Sequence, residues 1–413
     1  MVFAIFCRLR PMDLQGKKIL VGVTGSIAAY KSALLVRELI TSGAEVRVVM
    51  TASAIDFITP LTLATLSKNP VQSDFTQDKN AGTWTNHVET GMWPDLMLIA
   101  PASANTLAKM ANGTCDNFLM AVILSAKCPV MVAPAMDLDM MAHAATIENL
   151  NLLTQRGTYV IEAAEGELAS GLVGKGRMAE PADIVRYCFD WFLERAPLRG
   201  KRFLVTAGPT HEPIDPVRYI GNRSSGKMGF AIANELASRG ATVELISGPC
   251  PAWPLHSGIT KTSVETAAHM AQETNKRWPE SDAAICAAAV ADFTPTHPAE
   301  AKIKKEGFEG TLHLKPTEDI LAALGTAKKP GQILVGFALE TDDAEANARK
   351  KLTSKNADMI VLNSLKDEGV GFGSDTNKIT LLTKEGEIFS FEMKSKQAVA
   401  VDIIDKISTL LPS

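Results

Sequence analysis

A doubly wound α/β architecture, laid down twice along the chain, is the fold class this sequence predicts. Three observations predict it. The stretches "KKILVGVTGSIAAYKSALLVRELITSGAEVRVVMT" and "GKRFLVTAGPT", the latter continued through "KMGFAIANELASRG" and "ATVELISGP", each run strand, turn, helix, strand. The strands between them are short unbroken Val/Ile/Leu runs, the pattern of parallel strands buried on both faces. And 413 residues with 46% apolar and 21% charged content supply two or three domains with separate cores.

In chain order, Ile19–Val23 reads as a buried strand, Gly25-Ser26 turns into a helix ending near Gly43, and Glu45–Met50 is the next strand. "DLMLIAPAS", "CPVMVAPAM" and "GTYVIEA" follow with helices between them, giving at least five strands. "WFLERAPLRGK" ends a helix and enters the second unit, so the predicted domains are residues 1–195 and 196–413. There "DAAICAAAVADF" and "QILVGFALET" read as buried strands, Asp343–Asn356 as a basic helix, and "ADMIVLNSL" as a strand. "KITLLTKEGEIFSFEM" alternates about a Lys-Glu-Gly turn and predicts a hairpin. The two Rossmann-like halves share a grammar of elements, not a duplicated sequence.

The bulk properties exclude some functions. A net charge of −4 argues against a general nucleic-acid binder, and no apolar run reaches bilayer length. The opening "MVFAIFCRLRPM" lacks signal-peptide order and reads as an extension before ordered chain near Gly16. Six cysteines with no C-x-x-C favour a reduced, cytoplasmic protein.

The motif "GNRSSGKMG", Gly221–Gly229, is one hydroxyl short of a phosphate-binding P-loop: Met228 stands where Mg²⁺ needs Ser or Thr. Thirteen residues, Pro209 to Gly221, also separate it from its strand. An ordinary glycine turn and an anion site built from backbone N–H groups at a helix start both remain open. Neither half carries a G-x-G-x-x-G followed by a ribose-binding acid, which disfavours a nicotinamide-dependent dehydrogenase.

Taken together, "VTAGPTHEPIDPVRYIGNRSSGKMGFAIA", "AAVADF", "KIKK" and "VGFALET" resemble the phosphopantothenate–cysteine ligase module of coenzyme A biosynthesis. "GVTGSIAAYK", "PASANTLAKMANGTCDN", "APAM" and "GKGRMAEP" resemble the flavin-dependent phosphopantothenoylcysteine decarboxylase module. In this order the chain resembles the family of bifunctional enzymes carrying both activities.

The resemblance implies FMN at the amino-terminal half, because the electron pair left by departing CO₂ needs a sink that a flavin supplies by oxidising the adjacent C–S centre. It assigns Gly25, Ser26, Ile27, Thr51, Ser103, Ala104, Asn105, Thr106 and Met136 to the cofactor, and His87 to the active site, where a near-neutral imidazole suits proton transfer. Two departures stand out. Asp137 replaces the family's carboxylate-recognising asparagine; ionised it repels a substrate carboxylate, protonated it donates to one. Ser170 replaces the clamp-loop cysteine credited with protonating the enethiol, and a hydroxyl is a far weaker acid than a thiol of pKa about 8.5. Cys115, in the flavin-side motif, reads as a buried bystander. These departures leave open an alternative in which the flavin half is impaired or serves as a binding or regulatory module.

For the carboxyl-terminal half the resemblance implies that CTP and 4′-phosphopantothenate form an acyl-cytidylate with loss of pyrophosphate, and that the cysteine amine displaces CMP. A carboxylate must approach a triphosphate, which calls for lysines and Mg²⁺. Lys302 matches the residue implicated in cytidylation and Asn222 the one contacting the activated carbonyl; Lys304 and Lys305 read as solvated. Asp292, Glu318, Asp319, Ile320, Leu321, Phe337, Lys351 and Lys355 match the CTP site. The metal ligands stay unassigned. The resemblance also implies trimers of flavin modules and dimers of ligase modules, together a dodecamer.

Overall fold

The computed structural model describes residues 13–78, 83–251, 253, 255–304, 310–340, 344–364 and 374–412. The amino-terminal extension, Lys305 and Asp343 lie outside them. The chain divides into two compact units that meet between Phe192 and Leu193.

The first unit is built on a six-stranded sheet: β1 Lys18–Val23, β2 Glu45–Met50, β3 Val71–Gln72, β4 Leu96–Ala102, β5 Val130–Pro134 and β6 Tyr159–Val160. Its spatial order is β3-β2-β1-β4-β5-β6, with every neighbouring pair parallel. The order reverses between β1 and β4, so the turns leaving these two strands open a crevice at their carboxyl ends, where ligands of this architecture bind. β4 is buried at every position, as its unbroken apolar run requires. The helix Lys31–Thr41 is preceded by a 3₁₀ turn, Ile27–Tyr30, capped by Ser26.

The second unit repeats the order and extends it. Its sheet comprises β7 Arg202–Ala207, β8 Thr242–Ser247, β9 Ile259–Ser263, β10 Ala283–Cys286, β11 Ile333–Glu340, β12 Met359–Ser364, β13 Ile379–Thr383 and β14 Ile388–Ser390. The spatial order is β9-β8-β7-β10-β11-β12-β13-β14. The first six are parallel, and the last two form the expected antiparallel hairpin.

Alternation along β7 separates two cores. Phe203, Val205 and Ala207 pack with the helix Lys227–Ser238 and the helix Lys396–Leu410, whereas Leu204 packs on the other face with Met270, Trp278 and Leu324. Phe203 is fully buried. Phe203→Ala is therefore expected to cost about 3–5 kcal/mol by removing apolar contact and leaving a cavity. Calorimetry should show the unfolding transition of the second unit moved down; an unmoved transition would contradict this placement of the core.

Three sequence expectations are corrected. "DAAICAAAVADF" is not one strand: β10 stops at Cys286 and a separate short strand, Phe293–Pro295, pairs with Leu314–Pro316. The basic helix runs Ala344–Ser354, so Lys355 and Asn356 follow it. Cys115 is exposed, in the loop between the helices Ala104–Asn112 and Phe118–Ser125.

Candidate functional sites at the carboxyl ends of both sheets

The amino-terminal candidates fall where parallel strands end: Gly25, Ser26 and Ile27 after β1, Thr51 after β2, Ser103 to Thr106 after β4, and Met136 and Asp137 after β5. Thr24, which sequence reasoning passed over, joins two of these turns. Its buried hydroxyl donates to the Pro101 carbonyl at 2.8 Å and accepts from the Ser103 amide at 2.9 Å. Ser103 then caps the helix Ala104–Asn112, accepting from the Thr106 amide, while its hydroxyl donates to Thr106 Oγ1 at 3.2 Å. Thr51 and Ser53 hydroxyls lie 3.3 Å apart beside Gly25. Thr106 is buried, whereas Ile27 and Asn105 are exposed.

Ser and Thr hydroxyls and helix-start N–H groups gathered at one crevice are the donor set a phosphate-bearing ligand needs. A second feature fits an aromatic, proton-exchanging ligand: Nδ1 of His87 is buried without a hydrogen-bond partner among the described residues. His87 opens the helix His87–Met92 and meets Phe75 edge-on at 5.9 Å; Phe75 in turn meets Phe118 at 5.4 Å.

The hairpin Ala164–Glu167/Val173–Arg177 carries Ser170 at its exposed tip. Its glycines are explained by contact. A Cβ on Gly176 would lie 2.4 Å from the Met136 carbonyl, and one on Gly174 would lie 2.7 Å from Leu138. The Met136 amide donates to the Gly176 carbonyl at 3.1 Å, so the hairpin base is seated on the Met136–Asp137 loop. Asp137 itself caps the short helix Leu138–Ala142. Lys31, almost fully buried at the start of the first helix, reaches the far end of the hairpin strand: its ammonium donates to the Met178 carbonyl at 3.3 Å and pairs with Glu180 at 2.7 Å.

The carboxyl-terminal site repeats the threonine staple. Thr206 Oγ1 accepts from the Ala288 amide and Thr210 Oγ1 from the Ala291 amide, tying the end of β7 to the segment after β10. The thirteen residues before the glycine turn form an antiparallel hairpin, His211–Pro213/Tyr219–Gly221, whose exit delivers Asn222. The Asn222 amide donates to the Ala289 and Val290 carbonyls at 3.1 and 3.0 Å. The next two residues hold Thr317: its amide donates to the Asp292 carbonyl, and its hydroxyl to that of Ala291. Thr317 leads into Glu318 and Asp319, and Asp319 caps the helix Ile320–Ala327 while pairing with Lys355 at 2.8 Å. Lys351 donates to the Phe337 carbonyl at 3.1 Å. These bonds tie Asn222 and, through Thr317, the chain leading to Glu318 and Asp319 to the segment 289–292, while Lys355 holds Asp319 and Lys351 holds Phe337.

Burial pushes the nearby Cys286 thiol up to about 12, helped by the charge of Asp319. Desolvation is the largest single influence on the Asp319 carboxyl and raises it, but the hydrogen bonds from Lys355 and the Ala322 amide and the charges of Lys355 and Lys351 together leave it below the usual carboxylate value.

Two predicted contacts do not fit as side-chain contacts. The side chains of Ile320 and Leu321 are buried in the core, with Leu321 packed over Gly336. In the glycine turn, Gly226 is left-handed (φ 75°) and Lys227 starts the helix, its ammonium paired with Asp375 and lying 5.3 Å over the Trp253 ring. Sequence reasoning also missed Asp215 and Arg218, which hold the backbone of Ile303 beside Lys302. The "DPVR" spacing of an acid three residues before an arginine was the available signal.

A family described as Flavoprotein matches residues 8–193, and one described as DNA/pantothenate metabolism flavoprotein C-terminal domain matches residues 198–411. The coenzyme A biosynthesis bifunctional protein CoaBC of Bacillus subtilis is 44% identical over 399 residues, 96% of this chain and 98% of that protein. A cysteine/cysteine sulfinic acid decarboxylase of an unknown prokaryotic organism is 54% identical over 358 residues, 86% of this chain and 99% of that protein. Among solved structures, the C-terminal domain of a CoaBC protein is 39% identical with a TM-score of 0.45, covering 52% of this chain and 97% of that one. With both modules matched in order and the bifunctional relatives aligned nearly end to end, the chain belongs to the coenzyme A biosynthesis bifunctional family, a flavoprotein decarboxylase joined to a ligase.

Proposed function

We propose that the chain converts 4′-phosphopantothenate to 4′-phosphopantetheine in two stages, ligation and then decarboxylation. The observation that carries this reading is that both sheets gather motif-matching polar residues at their carboxyl ends, within a chain matched to bifunctional relatives over 96% of its length.

In the ligase stage the substrate carboxylate attacks the α-phosphorus of CTP and pyrophosphate leaves. Lys302 offsets the charge that builds on the phosphate oxygens, and Lys351 and Lys355 hold the nucleotide. The cysteine amine then attacks the activated carbonyl beside Asn222 and CMP leaves. Mg²⁺ enters with the triphosphate, the usual mode for an ion that keeps most of its waters; among the described residues no group of three or more His, Cys, Asp or Glu is poised to hold a metal.

In the decarboxylase stage Ser26, Thr51, Ser103 and Thr106 hold FMN, which when bound supplies the two-electron chemistry at the substrate's C–S centre. His87 exchanges a proton there, and the hairpin closes over the substrate carboxylate near Asp137. The reductive step draws its proton from water or an acid other than Ser170. Ser170→Ala is accordingly expected to release the same reduced product at the parent rate. Mass spectrometry reads this as a product two hydrogens heavier than the enethiol; parent enzyme that stops at the enethiol would overturn it.

The test of the whole reading is product analysis of the full chain given 4′-phosphopantothenate, cysteine, CTP and Mg²⁺. Pyrophosphate, CMP, CO₂ and 4′-phosphopantetheine are expected. The 54% identity to a cysteine/cysteine sulfinic acid decarboxylase favours a second reading, in which the flavin half acts on the free amino acid. CO₂ from cysteine or cysteine sulfinate alone, without pyrophosphate release from CTP, would select it. Self-association of each module follows from the resemblance, and light scattering of the intact chain tests it.

A further inference from the structure

The carboxylate of Asp215 is fully enclosed and accepts hydrogen bonds from both sides of a long sequence gap. Oδ1 accepts from the amides of Val217 and Arg218 at 2.8 and 2.9 Å, fixing the turn of the hairpin that ends at Asn222. Oδ2 accepts from the Arg218 guanidinium and, at 3.1 Å, from the amide of Ile303, 88 residues on. Arg218 closes the loop by donating to the Ile303 carbonyl at 2.7 Å. Both backbone groups of Ile303 are thereby taken up between the exposed Lys302 and Lys304. At the other end of the same segment, Asn222 grips the Ala289 and Val290 carbonyls.

We propose that Asp215 is a positioning residue of the ligase half: it fixes Lys302 relative to Asn222 by locking the Ile303 backbone to the Asn222 hairpin. The proposal rests on the reading of Lys302 and Asn222 as the reactive pair. Chemistry of this kind tolerates little misplacement, since about 1 Å of error at a reacting group costs about a hundredfold in rate. An exposed lysine on an irregular segment gains that precision only from its backbone. Hydrogen bonding to Arg218 holds the Asp215 carboxyl well below the usual carboxylate range, so the anchor stays charged wherever the enzyme is assayed.

Asp215→Asn separates the two functions of the side chain. The remaining oxygen keeps the turn bonds to Val217 and Arg218, while the new amide N–H groups confront the three donors on the Ile303 side. In the full chain, kcat for pyrophosphate release is expected to fall about 30–100-fold, with KM for CTP changed by less than about threefold. Trypsin should cut faster after Lys302 and Lys304. Ile303→Pro, which deletes the donating amide and leaves Asp215 intact, should show the same selective loss, and the double variant should be no slower than either single one. It also carries the test if Asp215→Asn does not fold. Parent-like kcat in Ile303→Pro, or in a folded Asp215→Asn, overturns the proposal while leaving Lys302 in place. Undiminished pyrophosphate release from Lys302→Gln overturns the underlying reading and the proposal with it.

Discussion

Lys302→Gln is expected to lower CTP-dependent pyrophosphate release by about 10²–10³-fold and to leave CO₂ release from supplied 4′-phosphopantothenoylcysteine at the parent rate. The magnitude follows from removing one charged donor aimed at developing negative charge, a change of about 3–4 kcal/mol in the barrier. Glutamine retains a hydrogen-bonding amide of nearly the same reach, so what is lost is the charge. Lys302 is exposed and makes no side-chain hydrogen bond or ion pair among the described residues, whereas Asp215 holds its neighbour Ile303. The substitution should therefore leave thermal unfolding unchanged. Selectivity for one activity follows from the division into two compact units, each with its own sheet and switch point. Both rates are measured on one preparation of the intact chain; equal loss of both would falsify the division of labour.

The order of elements along the chain was legible in outline, because buried parallel strands such as β4 and β7 are unbroken apolar runs and helix starts such as Ser26 and Ser103 carry capping hydroxyls. It was least legible where a strand is set by its neighbours. β6 is two residues long, and "AAAVAD" has strand-like apolarity yet leaves the sheet, its carbonyls serving Asn222 and Thr317. The same distinction divides the sites. Residues at strand ends could be placed by motif resemblance, but the threonine staples, Thr24 to Ser103 and Thr206 to Ala288, depend on strands far apart in sequence lying side by side. Ile320 and Leu321 show the converse: a matched segment fixes where the chain passes, not which atoms face a ligand.

Gly25→Val is expected to yield a protein that purifies with little or no flavin and has lost decarboxylation, while still releasing pyrophosphate from CTP. Gly25 is not left-handed, so a side chain there meets no backbone strain. The obstacle is contact: a Cβ would lie 2.6 Å from Ser53 Oγ, 2.7 Å from Ser53 Cβ and 3.1 Å from its carbonyl oxygen. Ser53 sits beside Thr51 on the turn after β2, so relieving the clash pushes apart the turns after β1 and β2 that together form one wall of the crevice. Overpacking of this order costs about 1–3 kcal/mol. Charged to the bound geometry, that weakens the cofactor about 5- to 150-fold. Absorbance near the flavin bands, read against protein concentration, gives the occupancy. The steric cause has its own check. Ser53→Gly placed in the Gly25→Val chain removes both of the nearest atoms and should recover part of the flavin, whereas a loss due to misfolding of the unit would not respond.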